Sequence, residues 1–167
     1  MIPMGKGRGR RSRIAVPILF VMVCELAGVF GLAFAIPALG TWYADLTKPM
    51  FNPPNWLFGL VWAVLYVLMG IAAYLIWSRR KSKKSDARCA LSLFAVQLVI
   101  NAMWAAVFFG LRSTFYGLAE LVVLWIAVLA TTTEFYRISK RAALLMLPYL
   151  AWITFALALN LYIWRLN

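Results

Sequence analysis

The chain has 167 residues, of which 65% are hydrophobic and 13% charged, and this balance excludes an ordinary soluble domain, which is about half apolar and roughly a quarter charged. Its formal net charge is +12, but the cations lie in short clusters between apolar segments, which is typical of a membrane protein rather than of a nucleic-acid-binding one. With two cysteines and no histidine, we expect no protein-ligated metal.

A basic segment lies at the N-terminal end. Residues 1–13 (MIPMGKGRGRRSR) carry five cations and no acidic residue, and we expect a basic cytoplasmic tail. The apolar segment over residues 14–36 has 23 residues, whereas the apolar part of a cleaved signal peptide has about 7–15. Because about 20 apolar residues span a bilayer as a helix, we predict a retained transmembrane helix.

Four further apolar segments follow, at about residues 56–78, 89–110, 115–136 and 142–165, and each is long enough to span a bilayer. The sequence therefore predicts an all-α membrane protein. Its fold would be a bundle of five transmembrane helices that forms a single domain over residues 14–167, with a structured loop between the first two helices.

The distribution of cations predicts an orientation. Fourteen of the 17 Lys and Arg residues lie in the tail and in the loops around residues 79–88 and 137–141, and the other three are Lys48, Arg112 and Arg165. Short loops rich in Lys and Arg remain in the cytoplasm. We therefore expect a multi-pass protein of a prokaryotic plasma membrane, with a cytoplasmic N-terminus and the first loop on the outer side.

The segment from Thr41 to Trp62 (TWYADLTKPMFNPPNWLFGLVW), which comprises the first loop and the start of the second helix, differs from a simple linker because it combines three prolines with five aromatic residues before Trp62. Pro53 and Pro54 suit a turn at the start of the second helix, with Asn52 or Asn55 as its cap. We predict that this loop packs over a membrane-embedded pocket.

Polar and aromatic residues within the apolar segments predict the walls of that pocket, because a polar group in lipid must face protein, water or a ligand. Helical spacing of 100° per residue groups them on three faces. The residues on these faces are Trp62 and Tyr66 in the second helix, Gln97, Asn101 and Trp104 in the third, and Trp152, Ala156 and Asn160 in the fifth. Such walls suit a flat, largely apolar ligand, and packing within the core is the alternative for each tryptophan.

Two acidic residues also lie in apolar segments. Glu25 would mark either a proton path or a protonated hydrogen bond between helices, and Glu120 would pair with Arg112. No Ser/His/Asp set, closely spaced carboxylate pair or metal cluster occurs, so no catalytic site is predicted from the residues.

Small residues predict close helix packing. The third helix carries a small-residue ridge of Ala102, Ala106 and Gly110, and the first carries a similar ridge that includes Gly31. One of these ridges could form a homodimer contact, and packing inside the monomer is the alternative.

Three stretches resemble the TspO/MBR family of tryptophan-rich sensory proteins and translocator (peripheral-type benzodiazepine receptor) proteins. They are WYADLTKPMFNPPNWLFGLVWAVLYVLMGIAAYLIW (42–77), QLVINAMWAAVFFG (97–110) and LPYLAWITFALALNLYIWRLN (147–167). The resemblance implies a five-helix bundle, usually dimeric, that binds porphyrins, sterols and related hydrophobic molecules and requires no cofactor, a haem-type tetrapyrrole being a ligand. The pocket residues that it implies are Trp42, Tyr43, Trp62, Asn101, Trp104, Trp152 and Ala156.

The resemblance also implies two finer features. Light-dependent porphyrin breakdown in the family would involve Trp62 and Trp152, and a loose sterol-recognition pattern would fall on Leu159, Tyr162 and Arg165. Some members carry a histidine in the first loop, and this chain has none, so haem coordination through a loop histidine is excluded.

Three functions remain open from the sequence. The first is a receptor or sensor that binds porphyrins, and carriage of the porphyrin across or within the membrane stays open as an additional role. The second is a light-dependent porphyrin-degrading enzyme, and the third is a small structural or multidrug-type membrane protein. The expected partners are a porphyrin or other hydrophobic small molecule, the lipid bilayer and a second copy of the chain, with no nucleic acid.

Overall fold

The computed structural model describes the backbone of residues 8–167 and the side chains of residues 14–167. The side chains of the predicted basic tail, residues 1–13, lie outside the described ones. The regular elements of the described part are α1 (Arg8–Leu39), α2 (Trp42–Asp45), α3 (Asn55–Ser78), α4 (Lys84–Ala105), α5 (Thr114–Ile138) and α6 (Lys140–Leu166), with a π-helical turn, Ala106–Gly110, that continues α4.

Five helices are long and apolar enough to cross a membrane, namely α1 from Ile14, α3, α4 with its π-helical turn, α5 and α6. The predicted five-helix, all-α fold is confirmed, and the chain is a multi-pass membrane protein. The helices run up to six residues beyond the predicted segments: α1 begins at Arg8 rather than at residue 14, and α4 begins at Lys84 rather than at residue 89. The first turn of α4 is polar, so hydropathy detects the part in lipid but not the helical turn outside it.

The five spans close into a ring. In this ring α1 packs on α3, α3 on α6, α6 on α5, α5 on α4 and α4 on α1, and α3 also touches α4. Gly70 brings the backbones of α1 and α3 together, because a Cβ at this position would lie 2.5 Å from Cα of Val21. Small residues permit such close approach in lipid, where the hydrophobic effect does not drive helices together.

The first loop is ordered by contacts with α6. The side-chain amide of Asn167 accepts a hydrogen bond from N of Thr47 (2.9 Å) and donates one to its carbonyl oxygen (3.0 Å). Phe51 packs edge-on against Phe155 and Tyr162, with ring centroids 6.3 and 5.4 Å apart. The loop therefore lies fixed across the end of the bundle where α3 begins and α6 ends.

The predicted asparagine cap of α3 is wrong. Pro54 occupies the N-cap position and makes no side-chain hydrogen bond, and Asn55 is the first helical residue. The side-chain amide of Asn52 makes hydrogen bonds within the loop instead. It accepts one from the hydroxyl of Tyr43 (3.2 Å) and donates one to the carbonyl oxygen of Pro53 (3.2 Å). Sequence spacing alone did not predict the hydrogen bond between Tyr43 and Asn52.

Candidate functional site

An aromatic cluster lies directly beneath the loop. Trp42 and Tyr43 contact the ring of Phe108 edge-on, at 5.4 and 6.2 Å between centroids, and Trp104 stacks on the same ring at 5.2 Å and 13°. Phe108 is only 1% exposed and fills the space between these three residues. The structure thus brings together the predicted Trp42, Tyr43 and Trp104. Phe108 was missed, although its i+4 spacing from Trp104 was a usable signal.

The π-helical turn and one glycine position this cluster. Phe108 lies within the turn, and a Cβ on Gly117 of α5 would meet its ring at 2.5 Å. The indole Nε1 of Trp104 donates to the carbonyl oxygen of Gly117 at 3.1 Å. A π-bulge commonly marks a functional site, and here it turns Phe108 under the loop while α5 supplies the space.

A directional chain of hydrogen bonds crosses the bundle interior. The hydroxyl of Tyr66 donates to Oδ1 of Asn101 (2.6 Å), Nδ2 of Asn101 donates to Oη of Tyr149 (3.0 Å), and the hydroxyl of Tyr149 donates to Oε1 of Gln97 (3.0 Å). This series of hydrogen bonds ends at Nε2 of Gln97, which is fully buried and has no hydrogen-bond partner in the protein. Buried polar groups are normally paired, so an unpaired amide nitrogen at this position is unusual.

Trp62 lies against this hydrogen-bond chain. Its ring stacks on Tyr66 at 5.4 Å and 28° and meets Tyr149 edge-on at 6.0 Å. The structure therefore brings the predicted Trp62, Tyr66 and Asn101 together. Tyr149 was missed, although it lies three residues before Trp152 and helical spacing places both on neighbouring parts of one face.

A groove between α3 and α6 adjoins Trp152. It has a volume of about 510 Å³ and is almost entirely apolar. Trp152 packs on Phe58 and Phe155 at 5.6 and 5.4 Å, and its buried Nε1 has no hydrogen-bond partner. Leu60 and Val64 on the rim are exposed, so the groove faces the outside of the ring.

The remaining predicted residues of α6 are divided between the interior and the surface. Ala156 packs on the core, and Asn160 is buried with no partner for its Oδ1. Leu159 is buried in the cluster under the loop, whereas Tyr162 and Arg165 are exposed. The structure therefore does not bring the three residues of the sterol-type pattern to one surface.

The predicted ion pair between Glu120 and Arg112 is wrong. Oε2 of Glu120 is buried without a hydrogen-bond partner, and among the described side chains the ion pair is instead Glu134 with Arg137, at 2.7 Å. Arg112 is exposed in the turn before α5, where its φ of 51° lies in the left-handed region. Glu25 is half-buried on α1, and its role stays a prediction.

The small-residue ridge of α4 lies partly against α1 of the same chain. A Cβ on Gly110 would be 3.2 Å from the ring of Phe34, and Gly31 of α1 approaches α4 in a similar manner. Ala102 and Ala106 are half-buried. These contacts belong to packing within the monomer, and the role of the ridge in a dimer stays a prediction.

A second cavity, of about 450 Å³, lies on the loop itself. Its lining residues are Leu39, Tyr43, Ala44, Lys48, Asn52, Pro53, Pro54 and Asn55. Burial raises the pKa of the Tyr43 hydroxyl. The cavity thus combines a buried neutral phenol, a cation and apolar proline walls.

Comparison with known proteins places this chain in context. Residues 20–165 match the sequence profile of the TspO/MBR family. The chain is 43% identical over 155 residues to "Tryptophan-rich protein TspO" of Archaeoglobus fulgidus, with 93% of this chain and 97% of the relative covered. It is 40% identical over 156 residues to the protein of the same name in Chlorobaculum tepidum, covering 93% and 98%. It is 41% identical over 126 residues to "Translocator protein" of Homo sapiens, covering 75% of each.

Proposed function

The chain belongs to the TspO/MBR family of membrane proteins, and from that premise we propose that it is a receptor or sensor that binds porphyrins and related flat, hydrophobic molecules. One observation carries the proposal: tryptophans from the loop, α3, α4 and α6 line two adjoining clusters, with Trp42 and Trp104 under the loop and Trp62 and Trp152 packed on the neighbouring core. Aromatic faces stack on a flat ligand, and a few buried donors orient it. The same arrangement is compatible with carriage of the ligand across or within the membrane.

The sizes of the two cavities agree with this proposal. At about 450 and 510 Å³ they fall within the roughly 300–1,000 Å³ typical of small-molecule sites. Phe108 occupies the space under the loop, so a ligand that binds there must displace its ring. We expect Phe108→Ala to increase the affinity for a bulky planar ligand, because the side chain that competes for the space is removed.

Titration of protoporphyrin IX against tryptophan fluorescence tests the proposal. We expect saturable quenching, weakened by Trp62→Phe and by Trp152→Phe because each removes indole surface from the site. Trp56→Phe is the matched control, since Trp56 is exposed at the start of α3. An absence of saturable quenching would exclude the porphyrin-binding function.

Light-dependent porphyrin breakdown is a second candidate. It is supported by the stacked pair of Trp62 and Tyr66, whose ring centroids are 5.4 Å apart: a photo-excited porphyrin would accept one electron from the indole of Trp62, and molecular oxygen would be the oxidant that opens the porphyrin ring. Illumination of the complex, with the porphyrin absorption band as readout, tests it. If Trp62→Phe and Trp152→Phe both degrade bound ligand at the wild-type rate, these residues have no role in the chemistry.

We also propose a prokaryotic plasma membrane with the N-terminus in the cytoplasm, supported by the bias of the cations. A membrane-impermeant maleimide tests the orientation in a cysteine-free background. Met50→Cys in the loop should react in intact cells, whereas Ser82→Cys, between α3 and α4, should react only in inverted vesicles. The opposite pattern would reverse the proposed orientation.

A homodimer through α4 is proposed as well, and its support is the half-buried state of Ala102 and Ala106. A leucine at position 106 would separate two close-packed helices. Ala106→Leu should therefore convert a dimer into a monomer in detergent, measured by light scattering. An unchanged mass would remove this ridge from the interface.

A further inference from the structure

The loop cavity has a chemical character different from that of the groove between α3 and α6. Leu39, Pro53 and Pro54 provide apolar walls, and the ring of the buried Tyr43 contributes an aromatic surface. Lys48 adds a cation to this lining. The combination suits a molecule that is apolar over most of its surface and anionic at one edge.

Lys48 is held in one position within this cavity. Its Nζ donates to the carbonyl oxygens of Ala44 and Leu46, both at 3.1 Å, and lies 4.7 Å from the ring centroid of Tyr43. An ammonium group has three donors, so two are engaged and one remains available. A donor fixed in advance loses little conformational entropy when a ligand binds.

The charge of Lys48 is not neutralised by a carboxylate of the protein. Within the described side chains no acidic oxygen lies within 4.0 Å of its Nζ, and Asp45 on the neighbouring helix forms no ion pair. The carbonyl oxygens that hold the ammonium carry only partial charges, and so does the face of Tyr43. A full negative charge from a ligand would therefore gain a charge-assisted hydrogen bond at this position.

We propose that Lys48 in the loop cavity binds a carboxylate of the ligand, so that the protein selects flat hydrophobic molecules that carry a carboxylate at their edge. This inference rests on the proposed porphyrin-binding function and specifies the class of ligand. The carboxylate accepts a hydrogen bond from the free N–H of the Lys48 ammonium, and the side-chain amide of Asn55, which lines the same cavity, supplies a second donor. The apolar body of the ligand then lies toward Tyr43 and the proline walls.

The test compares protoporphyrin IX, which has two carboxylates, with its dimethyl ester, which has none, in the same detergent. We expect Lys48→Gln to weaken binding of the diacid by about fivefold, the range of a partly exposed ion pair, and to leave the ester unchanged. Lys48→Arg keeps the charge and should retain most of the preference for the diacid. Arg112→Gln is the matched control, because Arg112 is exposed on the same side of the membrane but lies outside the cavity.

Salt provides a second readout. Raising the ionic strength should weaken binding of the diacid to the wild type and have a smaller effect on Lys48→Gln, because salt screens an interaction that the variant lacks. Equal loss of both compounds in Lys48→Gln would identify Lys48 as a structural anchor of the loop and overturn the inference. Diacid binding that is insensitive to this substitution would overturn it too. If neither compound binds the wild type saturably, the proposed function itself fails, which is a different result.

Discussion

Removal of one buried hydroxyl should destabilise the bundle measurably. In Tyr149→Phe the ring remains and keeps its edge contact with Trp62, but the hydroxyl that joins Asn101 to Gln97 is lost. Nδ2 of Asn101 and Oε1 of Gln97 then lose their described partner in an interior where water does not replace it. Side-chain hydrogen bonds in membrane proteins contribute about 0.6 kcal/mol each on average and up to about 1.7. Two lost bonds therefore lower the free energy of unfolding by about 1–3 kcal/mol.

The free energy of unfolding can be measured by titration with a denaturing detergent in mixed micelles, with tryptophan fluorescence as the signal. The matched control is Tyr162→Phe, because Tyr162 is exposed on the same helix and its hydroxyl makes no hydrogen bond within the described part. If Tyr149→Phe is as stable as Tyr162→Phe, the hydrogen-bond chain contributes no net stability and the reasoning is refuted.

Three further perturbations act on the helix contact and the loop. Gly70→Ala should lower the thermal unfolding temperature by several degrees, because the added Cβ meets the backbone of Val21 at 2.5 Å, whereas Gly59→Ala, with open space around it, should not. Asn167→Ala should speed hydrogen exchange at the amide of Thr47, and an unchanged exchange rate would show that the side chain of Asn167 does not hold the loop. The raised pKa of Tyr43 means that the folded loop holds the phenolic proton more tightly than the unfolded chain does. The protonated Tyr43 therefore contributes its full stability below about pH 10, and this contribution is lost as the pH rises further. Replacement of this tyrosine by phenylalanine should remove that part of the alkaline pH dependence.

Length and hydropathy were sufficient to predict the five spans, because a helix that crosses lipid must be apolar over about 20 consecutive residues. The contacts between side chains could not be predicted in this way, because they depend on how the helices pack. Tyr149 becomes central because its hydroxyl reaches from α6 to Asn101 and Gln97 of α4, a contact that the order of the helices along the chain does not specify. The role of Phe108 depends on a π-helical turn and on the space above Gly117, and neither changes the apolar periodicity. Arg112 was a plausible partner for Glu120 by sequence distance, but the turn before α5 leaves it at the surface.

The hydrogen-bond chain also determines which of many similar packings the helices adopt. Apolar helices in lipid can slide or rotate against each other at small energetic cost, because a leucine meets lipid about as favourably as it meets another leucine. The hydrogen bonds join α3, α4 and α6 through Tyr66, Asn101, Tyr149 and Gln97. Their donor–acceptor distances are 2.6–3.0 Å, so a small displacement of one helix would break them. A shift of α6 by one helical turn, about 5.4 Å, would break both bonds of Tyr149 together. These four side chains therefore fix the axial register of three helices, and with it the position of Trp62, whose ring packs on Tyr66 and Tyr149 of the same network.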